Sequence, residues 1–447
     1  MSAVVDFPSK PEARPYLDAF RRPAGEPDWL LQARERSLAR FAELGFPNRR
    51  GEAWRYLDLG ALAERPILPS AAGRVLARRP GAALVAERSF APAEWRLVLV
   101  DGHFAPELSA VESLPTGVWF GSTKAAVAER PGLVREVLEK PHGSEPEAAD
   151  AARAFSILNT AFFTNGFVLD VAPGVALDRP IEILHLTAAD AGAAYHTRSL
   201  VSLAAGARAE LVETFAGAGR YWRNDVVIVR LGEGAELART VLVDEAEEAV
   251  HFGETAGCLE MASHLADFVL VLGGGTVRRE HSIETVGART HSSLNGAYLV
   301  SGRNQANIVT TIDHRAPGGE TRELVKGVAA GRGHGAFQGR ITVRPGAQQV
   351  DAHQMSRNLL LGRRAVVDTK PELEIFADDV KCSHGAAVGD LDTAALFYLE
   401  SRGIPRDEAR RLLIEAFLRE AVELLQSPAL RDHLMARLGR RLAELEE

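Results

Sequence analysis

From about residue 167 to 385 the chain carries almost no helical periodicity and runs instead in short alternating apolar stretches broken by glycine. A segment of that length must be built from β-strands, and a small pattern returns inside it: an apolar run, a glycine, a small or β-branched residue, then another alternating run. LDVAPGVALDRPIEI, VSLAAGARAELVE, VIVRLGEGAELART, LVLGGGTVRREHS and ITVRPGAQQVDAH are its instances, centred on Gly174, Gly206, Gly234, Gly275 and Gly346. The intervals are uneven, so the repeat is not strict. Recurring units with variable loops suit stacked coils, in which each short strand buries its face only when the next rung covers it. The pattern favours a β-helix over a sandwich.

The flanks differ in texture. DWLLQARERSLARFAEL, residues 28–44, spaces Leu30, Leu31, Leu38, Phe41 and Leu44 as an amphipathic helix, with Asp28 as the expected N-cap and Gly45 and Pro47 as stop signals. Trp54 and Tyr56 anchor the segment after it, and WRLVLVDG at 95–102 reads as a strand. KPHGSEPEAADAARA, near 140–154, is polar and broken by Pro and Gly, which suits a surface connection. After residue 388 the period becomes helical again. Asp392 is a candidate N-cap, Gly403 a stop, Pro405 a helix opener, and Ser427–Pro428 a second start. The stripe Ala409, Leu412, Leu413, Ala416, Phe417 and Leu424 is expected to face a core. The division expected is therefore 1–150, mixed and largely helical; 151–388, the β core; and 389–447, a helical domain.

A net charge of -8 argues against nucleic acid and anionic membranes as partners. The N-terminal residues lack a signal-peptide pattern and no apolar run reaches the roughly 18 residues of a membrane span, so a cytoplasmic location is expected. There is no G-x-S-x-G, and neither GRGHGAFQG nor the GGG at 273–275 continues into Lys-Ser or Lys-Thr, so an ATPase or serine-hydrolase reading lacks support.

The chemistry gathers at DDVKCSHGAAVG, residues 379–390. On a regular strand, residues two apart share a side, so Cys382 and His384 present a sulfur and an imidazole together. Those groups suit zinc, copper and iron–sulfur centres, with Asp378 and Asp379 available to harder ions. The plainer alternative is a buried cysteine beside a hydrogen-bonded histidine. Iron–sulfur clusters are commonly held by four thiolates, and this chain has two cysteines, Cys258 and Cys382. One copy cannot supply the set, so a metal centre here needs ligands from another subunit or is transient.

NLLLGRRAVVDTKPELEIFADDVKCSHGAAVGDLDTAALFYLESRGI, residues 358–404, resembles the core signature of the SufB/SufD family, the paired scaffold subunits of the Suf iron–sulfur assembly machine. FSILNTAFFTNGFVLDVAPGVALDRPIEI and FQGRITVRPGAQQVDAHQMSRNLLL extend the resemblance over roughly 155–425. NRRGEAWRYLDLGAL, AFLREAVELL and the poverty in cysteine resemble the SufD branch. The resemblance implies a right-handed parallel β-helix between an N-terminal helical region and a C-terminal helical domain. It implies a subunit that is not itself an enzyme, pairs with SufB through the β-helices, docks the ATPase SufC, and forms a homodimer when alone. His384 and Cys382 then lie near the SufB contact, as transient ligands of a nascent cluster completed by SufB. The SufC dock falls on the C-terminal helices, at Leu396, Tyr398, Ile404, Leu413 and Phe417. Reduced FAD on the assembled complex is the one further cofactor to consider, with no nucleotide on this chain itself. Two alternatives stay open: a SufB-like main cluster scaffold, and a β-helical carbohydrate-active enzyme.

Overall fold

The computed structural model describes residues 9–69, 82–139, 153–187 and 192–445. From Phe167 to Gly389 the chain winds as a parallel β-solenoid of about eight turns. Successive strands alternate between two facing sheets, and each solenoid strand pairs in parallel with the one a full turn later. The ten-stranded sheet runs from Lys381–Gly389 back to Trp95–Val100 and His103–Phe104; the nine-stranded sheet runs from Val366–Ile375 back to Val118–Ser122. At the starting end, His103–Phe104 and Val118–Ser122 pair antiparallel to their neighbours.

One corner explains why the sequence repeat looked uneven. Gly174, Gly206, Gly234, Ala262, Arg289, Gly318 and Gln349 all have φ between 55° and 71°. The Gly206 N–H donates to the Glu233 carbonyl, Gly234 to Met261, Ala262 to Ala288 and Arg289 to Pro317, one coil onward each time. Three of the seven are not glycine, although the left-handed conformation costs an L-residue roughly 1–2 kcal/mol. The stacked inter-coil hydrogen bonds hold them there. Gly275 and Gly346 do not belong to this column.

Inside the solenoid, one apolar cluster surrounds Leu203, Leu237, Leu265 and Ile283, and another surrounds Phe215, Val241, Val269 and Tyr298. Between them the strands bury charge. Arg239 places Nε 2.6 Å from Glu213 and Nη1 2.8 Å from Asp267. Arg279 Nη1 lies 2.8 Å from Asp225, and Arg223 Nε 2.7 Å from Glu245. His251 bridges Glu245 at 2.9 Å and Asp225 at 3.2 Å. Burial opposes the His251 charge, but Glu245 and Asp225 outweigh it and raise its pKa. Four carboxylates, Glu213, Asp225, Glu245 and Asp267, thus face three guanidinium groups and the His251 ring.

The helices Asp28–Leu44 and Ala154–Phe162 pack with Trp54 against Trp222 and Phe252 of the nine-stranded sheet. Asp28 is the first helical residue rather than the cap, which is Pro27; Gly45 closes the helix as expected. The C-terminal helices are Thr393–Ser401, Arg406–Val422 and Pro428–Ala443. Asp392 and Ser427 cap the first and third through their side chains. Leu418, Ala421, Val422, Leu434 and Leu438 pack on Leu242, Phe268, Leu270 and Val328 of the ten-stranded sheet. The buried stripe of the second helix therefore runs through Ala409, Ile414, Leu418, Ala421 and Val422, and Leu412 and Leu424 stand exposed. That helix carries apolar residues around more than one face, and the sheet selects one of two possible phases. The expected boundary near residue 150 lies outside the described residues. Among the described residues, no helix is long and apolar enough to cross a membrane.

Candidate functional site

The last coil forms the open end of the solenoid among the described residues. Val366–Ile375 and Lys381–Gly389 are the outermost strands of their sheets, so the far edge of each has no neighbouring strand among the described residues. Val366, Ile375, Phe376 and Val388 are exposed there, Phe376 by 59%. An edge with free N–H and C=O groups and apolar side chains is a template for pairing with another chain.

Cys382 and His384 stand on this strand. It is regular and pairs with Asp351–Leu361 in parallel, Cys382 opposite Ala352 and His384 opposite Gln354. Ala352 and Gln354 are buried residues of the solenoid interior, so Cys382 and His384 continue interior columns at a rung that has no further rung over it among the described residues. Cys382 is half-buried against the apolar interior cluster, and His384 is exposed. Burial, with a smaller contribution from Asp351, pushes the Cys382 thiol above its ordinary pKa. Two places apart on one side of one strand, a thiol and an imidazole can both reach a ligand laid on the open end.

Cys258 is not brought near. It sits on Val250–Leu259 in the other sheet, flanked in register by Arg230 and Glu284, and both cysteines are free. Among the described residues, no group of three or more His, Cys, Asp or Glu side chains is placed to hold a metal ion.

The opposite side of the edge strand is tied down by a polar string. Ser383 Oγ is 2.6 Å from His353 Nδ1, His353 Nε2 is 2.9 Å from Asp351, and Arg322 Nη1 is 2.9 Å from the same carboxylate. His353 and Ser383 lie a coil apart, so no local pattern in the sequence signals this tie.

The five C-terminal residues separate by exposure. Leu396 is buried, Leu413, Phe417 and Ile404 are half-buried, and Tyr398 is 57% exposed. Phe417 works locally: the Lys326 ammonium lies 4.1 Å from its ring centroid and donates to its carbonyl at 2.9 Å while pairing with Glu420. The most exposed apolar side chain on these helices, Phe397 at 70%, was not singled out from the sequence. It adjoins Tyr398 on a helix that starts four residues after the edge strand ends.

The chain matches the SUF system FeS cluster assembly, SufBD core domain, over residues 185–417, and the SufBD protein N-terminal region over 93–183. The chain belongs to the SufBD family. It is 30% identical to the iron-sulfur cluster assembly protein SufD of Escherichia coli over 414 residues, covering 91% of this chain and 92% of that protein. A SufBD family protein of Synechocystis is also 30% identical, over 91% of this chain and 89% of its own length. A chloroplastic protein of Arabidopsis thaliana, ABCI7, is 28% identical over 90% and 84%. Membership in an iron–sulfur assembly family leaves the carbohydrate-active alternative without support.

Proposed function

We propose that this chain is a non-ATPase scaffold subunit of a cytoplasmic Suf iron–sulfur assembly complex, pairing with a SufB-type subunit through the open end of its solenoid. The observation that carries the reading is the last rung: interior columns end there on Cys382 and His384, beside exposed Val366, Phe376 and Val388, at strand edges able to extend a sheet. A chain with two cysteines offers this site one thiol, so a partner completes the donor set of the iron–sulfur cargo. Iron arriving at the contact displaces the Cys382 proton, and the adjacent imidazole either accepts that proton or ligates the iron itself. Isolated chains can use the same edge to form a homodimer.

Residues 1–150, 151–388 and 389–447 are assigned as flanking region, scaffold core and SufC-docking domain. Tyr398 and Ile404 offer contact surface, and Leu396, Leu413 and Phe417 hold the helices that present it.

The test is co-expression with SufB- and SufC-type subunits, comparing cluster content for wild type, His384→Ala and Cys382→Ala. An intact complex with its cluster lost in the His384 variant supports the assignment. Full cluster content in both variants overturns it.

A further inference from the structure

The columns that end at the open rung differ in chemistry. The one ending at Cys382 passes through Ser292, Thr321 and Ala352. The one ending at His384 passes through Leu294, Glu323 and Gln354, in register from coil to coil. Rungs in register are about 4.8 Å apart, so each of these side chains has its neighbour within reach.

Glu323 and Gln354 are both buried, at 4% and 2% exposure. Gln354 Nε2 donates to Glu323 Oε2. That bond fixes which way the amide faces. With its N–H group turned back toward Glu323, Gln354 keeps a buried carbonyl oxygen, Oε1, that has no hydrogen-bond partner. An unpaired buried acceptor costs about 1–3 kcal/mol, and the residue in register with Gln354 on the next rung is His384, whose exposed ring is not hydrogen-bonded to it in this structure.

We propose that Gln354, oriented by Glu323, is the positioning residue for His384: on rotation of the exposed ring toward the rung beneath it, Gln354 Oε1 accepts the N–H of one imidazole nitrogen and leaves the lone pair of the other facing the open end. The inference rests on reading His384 as a site residue. A histidine that presents one nitrogen to a metal usually donates its other N–H to a carbonyl or carboxylate, which sets tautomer and ring orientation. Glu323 acts only through Gln354.

Tautomers report this directly. In the full-length chain labelled with 15N-histidine, His384 is assigned by the signals missing from His384→Gln, and its tautomer is read from long-range 1H–15N correlations. Wild type should show a single predominant tautomer. Gln354→Leu and Glu323→Leu should give mixed tautomers, while Glu323→Gln, whose amide carbonyl still accepts the Gln354 N–H, should match wild type. Leucine substitutions replace buried polar groups with apolar ones of similar size, and circular dichroism confirms folding; should Gln354→Leu fail to fold, Glu323→Leu gives the same readout. Identical tautomer populations in wild type and the leucine variants overturn the proposal. The functional reading fails separately: cluster content unaffected by His384→Ala removes the site role, whatever the tautomers show.

Discussion

Glu323 gives the most quantitative consequence of the buried interior. Burial, opposed weakly by Gln354 and Thr310, raises its pKa from 4.5 to about 7. A raised folded-state pKa means that the folded protein binds the proton more tightly than the unfolded chain does. The resulting stabilisation is complete below pH 4.5 and is lost as pH rises through 7. At about 1.4 kcal/mol per pH unit of difference, the loss reaches about 3 kcal/mol at pH 8. Glu323→Gln mimics the protonated acid, so it should match wild type near pH 4 and exceed it by about 3 kcal/mol at pH 8. For a chain of this length 1 kcal/mol corresponds to about 1 °C in melting temperature, so the two curves should separate by about 3 °C. Differential scanning calorimetry of both proteins across pH 4 to 8 measures this, and titrations common to both cancel in the difference. A constant offset with no pH dependence would refute the burial argument.

Arg239 pairs with two buried carboxylates, Glu213 and Asp267, so Arg239→Met should destabilise the fold by about 3–5 kcal/mol in chemical denaturation; a loss below about 1 kcal/mol would contradict the network. Tyr398→Ala should lower recovery of a SufC-type ATPase in a pull-down without changing the melting temperature, whereas Leu396→Ala, a core truncation, should cost about 2–5 kcal/mol of stability. Equal effects of the two on melting would remove the distinction. The edge strand ends at Gly389 and the first C-terminal helix starts at Thr393, so, on the proposed SufC docking, adding ATP should change the rate at which a thiol reagent labels Cys382 in the complex; an unchanged rate would break the proposed coupling.

Legibility followed the range of the interactions. Local signals gave the caps at Asp392 and Ser427, the stop at Gly45, and the adjacency of Cys382 and His384, which needs only a two-residue strand period. Three coil corners were visible because glycine marks them, and the β-helix followed. Those at Ala262, Arg289 and Gln349 were hidden, since ordinary residues hold the left-handed turn through contacts a coil away. The interior charges were invisible for the same reason: Arg239 pairs 26 and 28 residues away, and Arg279 pairs 54 away. His251 and Gln354 carried no motif, and only the register of stacked coils reveals what they face. On the second C-terminal helix, sequence gave the period but not the phase.

In the proposed scaffold role, this chain holds only part of a cluster site. Anaerobic reconstitution with iron and sulfide, followed by visible absorption, tests it on the isolated chain and on the chain co-purified with SufB- and SufC-type subunits. A stable iron–sulfur chromophore is expected in the complex alone. An equally stable chromophore on the isolated chain would contradict it.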